Sequence, residues 1–172
     1  ESWMLVGAGD FYNALLQKKY EIKEKEAYSL QSPLLYVCGT AFEERKQFIK
    51  SLRCVAYMPE IITEEWLQQT RDIIKRHNKL VVAIDVSNAA ALDLRNTIAH
   101  AVKEIAAGEN IKEIFIEGGS TAAAVLEELG IKKLIPVNEL SRGVVRMKAG
   151  DLFITVKPGS YQLPEEIRAI VE

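Results

Sequence analysis

An α/β fold, with a mostly parallel sheet flanked by helices and a C-terminal β-hairpin, is predicted by three features of this 172-residue sequence. Short apolar runs are repeatedly followed by glycine and then by a helical pattern, the rhythm of strand, turn and helix. One run, Leu80-Val81-Val82-Ala83-Ile84, is continuously apolar, as a central parallel strand buried on both faces must be. Near the C-terminus, Val144–Lys148 and Leu152–Val156 flank Ala149-Gly150-Asp151, which reads as a hairpin.

Taken in order, Trp3–Val6 reads as a short buried strand, followed by Gly7-Ala8-Gly9 and a helix over Asp10–Leu16. Asp10 is expected to cap that helix, with Phe11, Ala14 and Leu15 on one face. A dinucleotide fingerprint needs a third glycine where Tyr12 stands, so the Gly7/Gly9 pair argues for close backbone packing rather than NAD. Residues Tyr20–Gln31 alternate charges and read as a surface connection, ended by Ser32-Pro33. Pro33–Cys38 is expected to be a buried strand, and Gly39-Thr40-Ala41 opens a helix from Phe42 to Leu52.

Cys54–Met58 is a further strand, closed by Pro59. Thr63 then caps an amphipathic helix whose first turn carries Glu64 and Glu65 and whose end carries Lys75, Arg76 and His77, the charge order that suits a helix dipole. His77 is read as solvated. Asp85 ends the Leu80 run, and a helix over Ala89–Ala107 stops at Gly108. His100 within it has no metal-spaced partner. Ile114–Ile116 is a strand that leads into Glu117-Gly118-Gly119-Ser120-Thr121-Ala122 and a helix. Ile131–Pro136 reads as a short strand, Lys157–Ser160 as a tight loop, and Pro164–Val171 as the last helix.

With nearly half of its residues apolar, the chain can bury one full core as a single domain. Its formal charge of -2 and pI near 5.9, with no basic stripe, exclude the electrostatic footprint of nucleic-acid binding. No apolar run approaches the roughly 18 residues of a membrane span, and no signal peptide is recognisable, so no membrane partner is expected. Cys38 and Cys54 sit in apolar strands without a CxxC spacing and read as buried reduced thiols of a cytoplasmic protein. The first residue, Glu1, suggests part of something longer.

The residues that carry chemistry gather at strand ends. The first turn of a helix leaves N–H groups unpaired at the positive end of the peptide dipoles, so the turn at Gly118 and Gly119 is a place for an anion. Both glycines let a ligand approach the backbone, and Ser120 or Thr121 offers a hydroxyl to a phosphate. The alternative is an ordinary strand-to-helix turn with a serine cap. Thr40 has the same two readings. Lys157 either neutralises phosphate charge or is a solvated strand-end lysine, and Asp85 either meets a ligand or Mg²⁺ or caps its own turn. No GxxxxGK[ST] is present, which excludes a P-loop enzyme.

Five segments in order, Val6-Gly7-Ala8-Gly9, Val37-Cys38-Gly39-Thr40, Glu117–Ala122, Leu140-Ser141-Arg142-Gly143-Val144 and Val156-Lys157-Pro158-Gly159, resemble the C-terminal nucleotide-binding half of four-carbon acid sugar kinases. These enzymes phosphorylate threonate, erythronate or related acids with ATP. The resemblance implies a two-domain kinase of which residues 1–172 are the ATP-binding part. An N-terminal domain, absent from this sequence, would supply most of the sugar-acid site and the catalytic base. It implies nucleotide contacts at Gly39 and Thr40, at Gly118, Gly119, Ser120 and Thr121, and at Gly159. Gly143 would shape a nearby loop, Lys157 would stand beside the phosphates, and Mg²⁺ would accompany ATP.

The sequence departs from the family pattern at Cys38, where serine is common, Ser120, where an acid is common, Pro158, where a small hydroxylic residue is common, and Gln162, where glycine is common. These departures motivate an alternative, a non-catalytic regulatory module binding a nucleotide or sugar phosphate. A homodimer is compatible with either.

Overall fold

The computed structural model describes residues 9–20, 28–39, 42–84 and 91–172. The expected strand at Trp3–Val6, the turn at Gly7, and the side chains of Thr40 and Asp85 lie outside these residues. Within them the order is α1 (Gly9–Lys19), β1 (Leu34–Cys38), α2 (Glu43–Lys50), β2 (Val55–Met58), α3 (Glu64–His77), β3 (Lys79–Ile84), α4 (Ala91–Gly108), β4 (Glu113–Glu117), α5 (Gly119–Glu128), β5 (Ile135–Ser141), β6 (Val144–Ala149), β7 (Leu152–Lys157) and α6 (Glu165–Val171).

The strands form one sheet in the order β2-β3-β1-β4-β7-β6-β5. Pairing is parallel from β2 across to β7 and antiparallel for β7 with β6 and β6 with β5. The structure thus has the mixed α/β class that the sequence predicts.

Side chains alternate between the two faces of each strand, and the two faces build two cores. Leu35, Val37, Leu80, Val82, Ile114, Ile116 and Ile154 face α3, α4 and α5. On α4, Ile98, Ala101, Val102 and Ile105 fall at helical spacing and form its buried stripe. Burial of each such large apolar side chain contributes about 1.5–3 kcal/mol. The opposite face presents Leu34, Tyr36, Cys38, Val81 and Phe115 to Ile49 of α2 and to Ile167 and Val171 of α6. Tyr36 and Phe115 meet edge to face at 5.1 Å. Cys38 and Cys54 are buried on this side.

The cap of α3 is the one expected, since Thr63 Oγ1 accepts from the Trp66 N–H at 3.3 Å. His77 at its end is exposed. Two expectations need correction. Asp10 already lies inside α1, which begins at Gly9, so Asp10 is a first-turn residue and not the cap. The strand expected over Ile131–Pro136 is displaced to Ile135–Ser141, because it pairs with β6 through a turn at Arg142-Gly143, where Gly143 takes a φ of 73°. The predicted hairpin of β6 and β7 is therefore a three-stranded meander.

As an outer strand, β5 carries Pro136, whose missing N–H is tolerated there, and two register shifts, between Pro136 and Asn138 and between Glu139 and Ser141. At the other edge β2 is only four residues long. Among the described residues no helix is long and apolar enough to cross a membrane.

Candidate functional site

The path of the chain opens a crevice between β1 and β4. These adjacent parallel strands send their following helices to opposite faces, α2 to the side of Tyr36 and α5 to the side of Ile116. The loops diverge at such a point, and ligands of open α/β sheets bind there, beyond the carboxyl ends of the strands. The Gly39 N–H donates to the Glu117 carbonyl at 3.1 Å, and the Gly118 N–H donates to the Lys157 carbonyl at 2.9 Å. The carboxyl ends of β1, β4 and β7 are thereby laced together.

The glycines here do different jobs. A Cβ on Gly39 would lie 2.0 Å from Thr121 Oγ1, so glycine is required for α5 to settle against β1. Thr121 is buried in that contact. Gly118 has a φ of 109° and is the N-cap of α5, with no side-chain hydrogen bond to the helix. At Gly119 a Cβ would meet nothing within 4 Å, and Gly119 and Ser120 are exposed. Ser120 therefore does not serve as the cap, and α5 begins without a side-chain cap.

Beside this turn lies a charged cluster that the sequence reading missed. Glu117 is fully buried. Its carboxylate accepts from the Tyr36 hydroxyl, pairs with Arg45 Nε at 2.9 Å and pairs with Lys157 Nζ at 2.9 Å. Lys157 is itself 0% exposed and also donates to the carbonyls of Pro158 at 2.7 Å and Gly159 at 3.2 Å. Lys157 is thus neither solvated nor turned toward a ligand. Burial, and then the charges of Cys38 and Glu117, push the Tyr36 phenol above its usual range, so it stays a donor. A glutamate ending an apolar strand was the available signal; its partners, far away in sequence, gave none.

The loop after β7 is braced from its other side. Tyr161 donates its N–H to the Pro158 carbonyl at 3.1 Å, closing a turn. Its ring lies against the β5–β6 turn so closely that a Cβ on Gly143 would fall 2.3 Å from it. Gly143 therefore acts on the site through Tyr161.

Between α2 and α6 this arrangement leaves a cleft of about 870 Å³, with Arg45 and Glu117 at its inner wall and Gly159, Ser160, Tyr161 and Arg168 along its side. Of the residues expected from the sequence, Gly39, Gly118, Thr121, Lys157 and Gly159 converge on the ends of three neighbouring strands. Gly119 and Ser120 begin α5 next to them, and Gly143 stands behind Tyr161.

The profile of the family described as the nucleotide-binding C-terminal domain matches residues 41–161, well over half of the chain. The chain belongs to that family. This nucleotide-binding domain is also similar to a Haemophilus influenzae protein of the DUF1537 family, with a TM-score of 0.70 and 15% identity, over 94% of this chain and 45% of that one. A second similar structure is a DUF1537 protein from Bordetella bronchiseptica, described as a domain-swapped dimer with bound citrate. Its TM-score is 0.64 and its identity 17%, over 81% of this chain and 39% of that one. The domain thus spans less than half the length of either. No curated protein matches the chain. At family level these findings agree with the resemblance to four-carbon acid sugar kinases.

Proposed function

We propose that this nucleotide-binding domain holds ATP for a kinase that phosphorylates a four-carbon sugar acid such as threonate or erythronate, completed by an N-terminal domain that carries most of the acid site and the catalytic base. The observation that supports it best is the uncapped start of α5 at the β1–β4 crevice, with open space at Gly119. Backbone N–H groups at such a point favour negative charge, and glycine leaves room for a phosphate to reach them. ATP supplies the phosphoryl group when bound. This chain's part is to hold the phosphates still while their charge redistributes, and positioning and charge stabilisation are most of what phosphoryl transfer requires.

Mg²⁺ fits less well. Among the described residues no group of three His, Cys, Asp or Glu could hold a metal ion, and Glu117 is committed to two cations. Mg²⁺ held mainly by phosphates needs only one or two carboxylates, so it would arrive with the nucleotide, and no step is assigned to it.

Thermal unfolding titrated with Mg²⁺-ATP tests the reading. At about a hundred times the dissociation constant, ATP should add roughly 2.7 kcal/mol of stability, a rise on the order of 5–10 °C. Gly119→Val should fold, given the open space, and lose that rise; an undiminished rise in the variant would sink the site. Joined to its N-terminal domain and given ATP with a panel of four-carbon acids, the protein should turn over. ATP binding without turnover would favour the regulatory module instead.

A further inference from the structure

An ammonium group has three donors, and those of Lys157 are matched by three acceptors: Glu117 Oε1, the Pro158 carbonyl and the Gly159 carbonyl. None is left for a phosphate. What the lysine does, with the Tyr161 N–H sharing the Pro158 carbonyl, is fix the direction of two consecutive peptide groups. In a planar trans peptide the C=O and N–H point opposite ways. With the Pro158 carbonyl drawn in to the ammonium, the Gly159 N–H points away from it, and the Gly159 carbonyl likewise directs the Ser160 N–H. Both residues line the cleft, and among the described residues neither N–H finds a protein acceptor. Successive backbone N–H groups turned the same way make an anion-binding concavity.

We propose that Lys157, with Glu117 as its counter-ion, is a positioning residue: it holds the Pro158 and Gly159 carbonyls inward and so aims the Gly159 and Ser160 N–H groups at a nucleotide phosphate. The inference rests on the nucleotide reading above and adds the device that shapes the second side of that site. It accounts for a lysine buried where a phosphate-binding lysine would be exposed, since a charge without solvent contact persists only when paired. It also accounts for the tolerance of proline at position 158, whose carbonyl is used and whose N–H is not.

Backbone amide NMR spectra of the 172-residue chain titrated with inorganic tripolyphosphate test the proposal. The Gly159 and Ser160 amides should shift together with those of Gly119, Ser120 and Thr121. The double variant Lys157→Met/Glu117→Gln removes one charge of each sign and leaves the Gln able to bond Tyr36. It should keep the shifts at α5, lose those at Gly159 and Ser160, and bind tripolyphosphate about tenfold more weakly, the loss of one or two hydrogen bonds to a charged group. Gly159→Pro removes one of the two N–H groups with the Lys157–Glu117 pair intact, and should weaken tripolyphosphate binding several-fold.

Shifts confined to α5 in the unmodified chain would overturn the inference while leaving the nucleotide reading standing. So would loop shifts that persist in the folded double variant, or full affinity in Gly159→Pro. If neither set of amides responds to tripolyphosphate or to ATP, the nucleotide reading itself falls, and the inference with it.

Discussion

Strand β4 carries a buried glutamate at each end, both facing the side of Phe115, and the two ends are built for different purposes. At the amino end, Glu113 meets Arg146 through two bonds, at 2.7 and 2.8 Å, and accepts the Gln31 N–H at 2.6 Å. The guanidinium lies 3.8 Å from the centre of the Phe153 ring. Every remaining contact of that pair ties the fold to itself. At the carboxyl end, Glu117 gathers Tyr36, Arg45 and Lys157, and the far side of Lys157 holds the loop that borders the cleft. The same residue type on the same strand face closes one end of the sheet and furnishes the other. What separates them is where the partner's remaining hydrogen bonds go.

The largest effect is expected at the closed end of β4. Arg146→Ala leaves Glu113 buried without its cation, at a cost of about 3–5 kcal/mol, and thermal unfolding should fall by roughly 10 °C. The rise produced by ATP should persist wherever the variant is folded; its loss would mean that the two ends are not separate. Glu117→Gln keeps hydrogen-bond capacity but sets two cations against a neutral group. It leaves the buried Lys157 without a counter-charge, so it should cost a similar amount, about 3–5 kcal/mol, and it should also shrink the ATP-dependent rise, which urea unfolding with and without ATP would separate from the stability loss. A pure stability loss would place Glu117 with Glu113.

Gly143→Ala acts from outside the charged cluster. It forces a side chain onto a φ of 73° and into the Tyr161 ring, so it should cost about 1–3 kcal/mol and weaken ATP binding by displacing the loop. Unchanged binding would show that Tyr161 does not set the loop.

The last effect appears only at high pH. Both Tyr36 and Tyr28 titrate above the tyrosine value of 10.0 in the folded chain. Tyr28, near Arg146, is raised to about 12 by burial and then by its bond to Glu166. A folded pKa above the unfolded one gives stability that is complete below the unfolded value and is lost as pH rises past it. Stability should therefore fall above pH 10, at up to about 1.4 kcal/mol per pH unit for each tyrosine. The share of Tyr28 should level off near pH 12 while that of Tyr36 continues, so Tyr36→Phe should flatten the slope beyond pH 12 more than Tyr28→Phe. Equal flattening would contradict the difference in burial.

Much of the fold was legible because strong periodic signals coincide with buried elements. β3 is a continuous apolar run, and α3 announces itself through Thr63, its acidic first turn and its basic last turn. β5 was misplaced because it is an outer strand, with Ile135 and Val137 more than half exposed, so no alternation betrays its register. At the site, the glycines that sharply constrain the backbone could be picked out, but not what each one contacts. Gly39 is small on account of Thr121, and Gly143 on account of Tyr161, partners remote in sequence. Lys157 looked like a strand-end lysine because its burial depends on Glu117, which arrives from the neighbouring strand.

The edges of the sheet bear on how copies of this domain can meet. An outer strand with straight, unpaired backbone groups invites another chain to lengthen the sheet. Here one border is irregular and interrupted by Pro136, and the other is too short to template a long ladder. Continuous sheet extension through β5 or β2 is therefore disfavoured, and self-association of this domain should run through side-chain surfaces.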